Sequence, residues 1–193
     1  MSALHDMVRA GKVRYLGAST MYAWQFAKMN HMAAVNGWTP FVNMQCQYNV
    51  LYREEEREMF PYCRDQGIAV TTFSPLARGF LARDAGTART THDIYQEFYG
   101  DEIDREIARR VSEVAARRSV SRAHVAMAWV AGSPNHNIPI VGAAKTAHLD
   151  VAVEALGLRL DAEDRAFLEA PYRPRDEIND QNPVRRPRAR HPT

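Results

Sequence analysis

Along the chain, short apolar or β-branched runs alternate with stretches whose apolar residues recur at helical spacing. The runs occupy residues 13–19, 41–48, 68–74 and 138–142. Helical patterns follow the first two, at residues 23–36 and 54–66. A longer excursion follows the third run, and then Ile103, Ile107, Val111 and Val114 recur about once per turn. Residues 121–130 read as another helix, capped by Ser119 or Ser121. Two more helices are predicted at residues 148–156 and 162–169. Near-continuous apolar strands alternating with helices predict an α/β fold, a parallel sheet covered by helices. Four such strands make either a small open doubly wound sheet or half of an eight-stranded barrel, and the pattern leaves both open.

The two ends differ from this rhythm. Residues 1–10 read as the last turns of an amphipathic helix closed by Gly11. No strand precedes that helix, so the chain is expected to begin in the middle of a strand–helix unit. Residues 183–193 hold three prolines and four arginines with almost no apolar residues, which predicts a solvated, disordered end. The expected organisation is one domain over residues 1–175 and a basic, proline-rich tail over 176–193.

Composition narrows the function class without naming one. A chain of 193 residues with 46% hydrophobic and 25% charged residues holds one soluble domain with a sizeable core. A formal net charge of +2 gives no reason to expect nucleic acid or a membrane surface as partner. No apolar stretch approaches the roughly 20 residues of a membrane span. Cys46 and Cys63 are too few for a disulfide framework and lack zinc spacing, which makes a reducing cytoplasm the default location.

Four motifs choose between the two architectures. Lys12-Val13-Arg14-Tyr15-Leu16-Gly17-Ala18-Ser19 resembles the fifth strand of aldo-keto reductases, and Asn43-Met44-Gln45-Cys46-Gln47-Tyr48-Asn49 resembles the sixth. Phe73-Ser74-Pro75-Leu76-Ala77-Arg78-Gly79-Phe80-Leu81 is similar to the seventh strand and its phosphate loop. Ile138-Pro139-Ile140-Val141-Gly142-Ala143-Ala144-Lys145, followed by His148, is similar to the eighth strand and its 2′-phosphate loop. The motifs stand in family order with family-like separations. The resemblance therefore implies a partial (β/α)8 TIM barrel: a C-terminal half-barrel of about four parallel strands with covering helices.

It also implies site residues. Ser19 and Gln45 would hydrogen-bond a nicotinamide carboxamide, with Thr20 standing where relatives commonly carry Asn. The other reading of Ser19 and Thr20 is that they cap the following helix. Phe73 would stack on the nicotinamide, its alternative being plain core. Ser74, Leu76, Arg78 and Gly79 would form the pyrophosphate loop, with Gly79 letting the backbone approach the ligand. Gly142, Ala143 and Lys145 would meet the 2′-phosphate of NADPH at a helix start, with His148 against the adenosine. Lys145 is one of only three lysines, and it carries the expectation of NADPH/NADP over NADH.

The family's Asp, Tyr, Lys and His tetrad belongs to the first four strands, for which this sequence has no counterpart. No catalytic residue is nominated, and no metal site. Tyr48 lies near the expected rim but has no lysine beside it. His5, His31, His92, His124, His136 and His191 show no triad or metal spacing and read as surface or packing residues. The acidic run Glu54-Glu55-Glu56 reads as the first turn of a helix, complementing its dipole. Residues 84–100 match a variable loop over the cofactor or substrate, or a surface excursion.

The expected function is reduction of an aldehyde or ketone by NADPH within an N-terminally truncated reductase, inactive by itself. The alternative is a non-catalytic module that binds NADPH or a phosphorylated ligand and acts through self-association or a partner. An open half-barrel is expected to expose two strand edges and an apolar inner face, inviting a homodimer or a missing N-terminal half.

Overall fold

The computed structural model describes residues 1–82, 99–135 and 137–175. His92, His136, His191, most of the 84–100 excursion and the 176–193 tail lie outside them. The described chain opens with α1 (Ser2–Arg9), which ends where Gly11 takes a φ of +70°. Four strands follow, β1 (Leu16–Ser19), β2 (Phe41–Gln47), β3 (Ala69–Phe73) and β4 (Ile138–Pro139). They form one sheet in chain order, β1-β2-β3-β4, with every neighbouring pair parallel. Parallel neighbours require a crossover, and helices supply each one. These are α2 (Ala23–Val35), α3 (Met59–Asp65), and then α4 (Glu102–Arg117) with α5 (Arg122–Ala131). After β4 come α6 (Thr146–Ala155) and α7 (Ala162–Glu169). This is the expected partial barrel.

Side-chain alternation splits the sheet into two unlike faces. Leu16, Ala18, Met44, Cys46, Val70 and Thr72 are buried beneath the helices. Phe26 of α2 stacks on Phe41 at a centroid distance of 5.7 Å, and Tyr48 packs at 4.9 Å from Phe60 and 5.0 Å from Trp129. On the opposite face, Gly17 and Ser19 are exposed, while Asn43, Gln45, Thr71 and Phe73 are half-buried. The expected apolar inner face is therefore overturned. Strands that looked near-continuously apolar alternate, and their inner positions are largely polar.

The helices follow the sequence pattern, with one alternative resolved and one correction. In α4, Ile107, Val111 and Val114 are fully buried, one turn apart, with Asp101 capping the start by accepting from the Asp104 N–H at 2.8 Å. Of the two serines proposed for α5, Ser121 is the cap; Ser119 instead closes α4 with a φ of +54°. The helix expected over residues 54–66 is broken into a 3-10 turn at Glu54–Glu56 and then α3. Pro61 explains the break. It has no N–H for the carbonyl four residues back, and its ring crowds that carbonyl, so an α-helix tolerates it only in the first turn. The fourth strand is also shorter than expected, two residues instead of five. The bond to β3 at this end comes from Ile140, whose N–H donates to the Thr72 carbonyl at 2.7 Å, so Pro139 is tolerated without costing the pair a donor.

Candidate functional site

Because all four strands run the same way, their C-terminal ends open on one rim. The register lines up the expected residues. Ser19 pairs with Gln45, Gln45 with Thr71, and Thr71 with Ile138. Phe73 pairs with Gln47, one step closer to the rim than the row holding Ser19 and Gln45. A ring lying over Ser19 and Gln45 would thus meet Phe73 on its rim side. Ser19 and Thr20 join through their hydroxyls at 3.2 Å, and the Thr20 N–H donates to the Gln45 carbonyl at 3.0 Å. Thr20 takes a left-handed φ of +44°. Neither residue caps α2: the N-cap is Tyr22, whose N–H donates to the Gln25 side chain at 3.1 Å. The capping alternative is set aside, leaving a pair of hydroxyls at the end of β1.

After Phe73 the chain bends sharply. Ser74, Ala77 and Arg78 have φ of +56°, +47° and +57°, and Gly79 has +97°. Three side-chain-bearing residues in the left-handed region cost about 1–2 kcal/mol each, so surrounding contacts must hold this loop. Leu81 donates to the Leu76 carbonyl at 3.3 Å and Ala77 to that of Ser74 at 2.9 Å. The half-buried side chain of Leu76 packs with Val141 against Met127, Ala152 and Ala155. That cluster draws the loop after β3 against the segment after β4. Arg78 is exposed at the loop's tip.

Beyond β4, Gly142, Ala143, Ala144 and Lys145 are exposed and lead into α6, with Lys145 at its N-cap position. A helix start offers N–H groups without intrahelical acceptors and a partial positive charge. His148 follows within the first turn, its N–H donating to the Lys145 carbonyl at 3.0 Å. The chemistry of the rim is therefore graded. Hydroxyls and an amide lie on β1 and β2, and an aromatic with a strained loop on β3. A cation at a helix start follows β4. This order suits a ligand with an amide-bearing ring at one end and phosphate groups toward the other. A cofactor of the dinucleotide class fits these residues.

Among the described residues, the side chains considered as proton donors are sealed or already engaged. Tyr48 is 1% exposed, and its hydroxyl donates to Glu56 at 2.5 Å. Burial and the Glu56 carboxylate push its pKa well above the ordinary phenol value. Cys46 and Cys63 are buried thiols, held protonated by burial, Cys63 up to about 11. His5 is tied to Thr39 at 2.9 Å, and His124 to Ser121 and Glu154 at 2.7 and 3.0 Å. Among the described residues no group of three or more His, Cys, Asp or Glu is arranged to hold a metal. No helix there is long and apolar enough to cross a membrane.

Two arrangements were not legible as site features. Glu54 and Glu56, read as a helix's first turn complementing its dipole, are buried or half-buried anchors. Glu54 accepts from the Tyr172 hydroxyl at 2.5 Å and the Arg175 N–H at 2.8 Å. Glu56 takes Tyr48 and Arg53, and Arg53 also meets Glu169 at 3.1 Å. The second is Asn49, fully buried beyond β2, which donates to the Ser74 carbonyl at 3.0 Å and to the Tyr99 hydroxyl at 3.1 Å.

Comparison with known proteins sets this geometry in a lineage. A family model described as the Aldo/keto reductase family matches residues 1–172. The chain is 45% identical over 179 residues to Aldo-keto reductase AMT2 of Alternaria alternata, covering 90% of this chain and 48% of that protein. It is 41% identical over 182 residues to Versiconal hemiacetal acetate reductase of Aspergillus parasiticus, covering 91% and 53%. It is 45% identical over 180 residues to Putative aryl-alcohol dehydrogenase C977.14c of Schizosaccharomyces pombe, covering 90% and 50%. The chain thus spans about half the length of the curated relatives it matches.

Proposed function

Given that the chain belongs to the aldo/keto reductase family, we propose that its rim is the dinucleotide cradle of an NADPH-dependent carbonyl reductase. The observation that carries this reading is the parallel register placing Ser19, Gln45 and Phe73 at adjoining strand ends, beside the left-handed loop that begins at Ser74. The cofactor would supply hydride to the carbonyl carbon of an aldehyde or ketone. The chain's own residues would hold and orient it.

Ser19 and Gln45 would fix the carboxamide, restrained by the bond between Thr20 and the Gln45 carbonyl. Phe73 would cover one face of the ring and keep water from it. Arg78 and the backbone around Gly79 would meet the pyrophosphate. Lys145, with Gly142, Ala143 and the first N–H groups of α6, would meet the ribose phosphate, and His148 the adenosine. The alcohol oxygen also needs a proton, and Tyr48 is buried against Glu56 and does not reach the rim to give it. We assign this chain the cofactor-holding role, with proton delivery from other residues, so the 193-residue chain by itself is expected to show no aldehyde reduction.

Titration of the purified chain with NADPH and with NADH, followed by calorimetry, tests the reading. NADPH is expected to bind at least tenfold more tightly than NADH. Equal affinities would remove the 2′-phosphate assignment, and no binding of either would remove the cradle. The exposed stripe of Leu149 and Val153 on α6, with Leu156 just past its end, favours a second reading, a binding half-barrel that works by docking to another polypeptide. A purely monomeric chain in sedimentation at high concentration would count against that.

A further inference from the structure

The loop after β3 is strained, and one side chain holds its first residue from outside. Asn49 lies two residues beyond β2 and is fully buried. Its backbone closes a tight turn with Tyr52, N–H to carbonyl at 3.2 Å and carbonyl to N–H at 2.9 Å. Its side-chain oxygen accepts from the Leu51 N–H at 3.0 Å. Its side-chain nitrogen donates to the Ser74 carbonyl and the Tyr99 hydroxyl. Both ends of the amide are thus engaged. Aspartate would set a carboxylate against the Ser74 carbonyl, and alanine would leave a buried N–H and a buried carbonyl without partners.

Ser74 is the hinge between the strand that carries Phe73 and the loop that carries Arg78 and Gly79. Resting on the cofactor reading above, we propose that Asn49 is a positioning residue for the dinucleotide. It fixes the Ser74 carbonyl so that the ring-stacking and pyrophosphate-binding parts of the chain keep one mutual geometry. The Tyr99 hydroxyl completes the clamp. It also receives the Gln47 amide, its ring stacks on Phe80 at 6.2 Å, and the Arg175 guanidinium lies over that ring at 5.9 Å from its centre. The clamp thereby joins the ends of β2 and β3 to the segment leading into α4. Such preorganisation acts on ligands that span the loop and leaves those confined to the α6 side untouched.

The test compares two ligands on the intact chain. NADP+ spans the loop; adenosine 2′-monophosphate has no pyrophosphate phosphate and reaches only the Lys145 side. In Asn49→Ala, NADP+ affinity is expected to fall tenfold or more, while adenosine 2′-monophosphate changes less than twofold. Tyr99→Phe removes one hydroxyl from a folded background and is expected to weaken NADP+ about threefold with the same selectivity. A parallel loss of both ligands would mean general loosening and would overturn the proposal, as would unchanged NADP+ binding in Tyr99→Phe. If Asn49→Ala does not fold, Tyr99→Phe decides alone. Failure of both ligands to bind the unmodified chain overturns the cofactor reading and the proposal with it. Normal binding without the split overturns the proposal only.

Discussion

Replacing Glu54 tests whether the acidic turn after β2 is an anchor or a solvated surface. The Glu54 side chain is only 4% exposed. One oxygen accepts from the Tyr172 hydroxyl and the Arg175 N–H, and the other faces the Arg57 guanidinium at 2.9 Å. In Glu54→Ala, two donors lose their acceptor, each at a desolvation cost of about 1–3 kcal/mol. The sum, about 2–6 kcal/mol, brackets the roughly 3–5 kcal/mol usual for breaking a buried ionic group's contacts. For a domain of this size that lowers Tm by roughly 4–24 °C. Glu54→Gln keeps an acceptor but loses the charge assistance, so about 1–3 kcal/mol is expected. Arg57→Ala is the control. Its side chain is 58% exposed, and an ion pair so open to water contributes about 0–1 kcal/mol. Urea unfolding followed by tryptophan fluorescence measures all three, and hydrogen exchange at residues 171–175 should rise selectively in the glutamate variants. The reasoning is refuted if Glu54→Ala stays within about 1 kcal/mol of the parent, or if Arg57→Ala is as damaging.

Lys145→Ala should weaken NADPH by about 1–4 kcal/mol, the span from water-screened to near-surface attraction for charges near 4 Å, and leave NADH unchanged in calorimetry. Gly79→Ala puts a side chain on a φ of +97° and should cost about 1 kcal/mol or more of stability in urea unfolding. Burial holds Cys63 protonated up to about 11 and Tyr99 up to about 12. Both folded values lie above the unfolded ones, so the unfolded chain loses its protons first. Their contribution is complete below about pH 8.5, the free thiol value, and disappears as pH climbs through 11–12. A urea midpoint that stayed flat from pH 8 to beyond 11 would contradict this. Ser121→Ala removes the α5 cap and should cost about 0.5–1 kcal/mol by the same unfolding assay.

What the sequence reveals divides by the range of the interactions concerned. The spacing of Ile107, Val111 and Val114 is local, so α4 is legible from periodicity alone. The strand ends are legible because Ser19, Gln45 and Phe73 sit in short runs whose order survives in the fold. The role of Glu54 is not local. Its partners Tyr172 and Arg175 lie 118 and 121 residues away, and a run of three glutamates looks the same whether it faces water or a buried tyrosine. Pro61 carried a usable signal, since its missing N–H forbids one helix over residues 54–66.

The inner face shows the same division from another side. Counting apolar residues in each run led to strands buried on both faces. Alternation gives a different answer, because Gly17, Ser19, Asn43, Gln45 and Thr71 fall on one side. That polarity is what a ligand-bearing surface requires, whereas a face evolved only to pack against another layer would carry the Leu16, Ala18, Met44 and Val70 pattern of the covered side. Asn49 belongs to this logic. A fully buried amide that spends its donors on the hinge of a strained loop has a cost that packing alone does not explain. Holding Ser74 against Phe73 gives that cost a use, because the loop's left-handed backbone is productive only where something outside the loop fixes its first carbonyl.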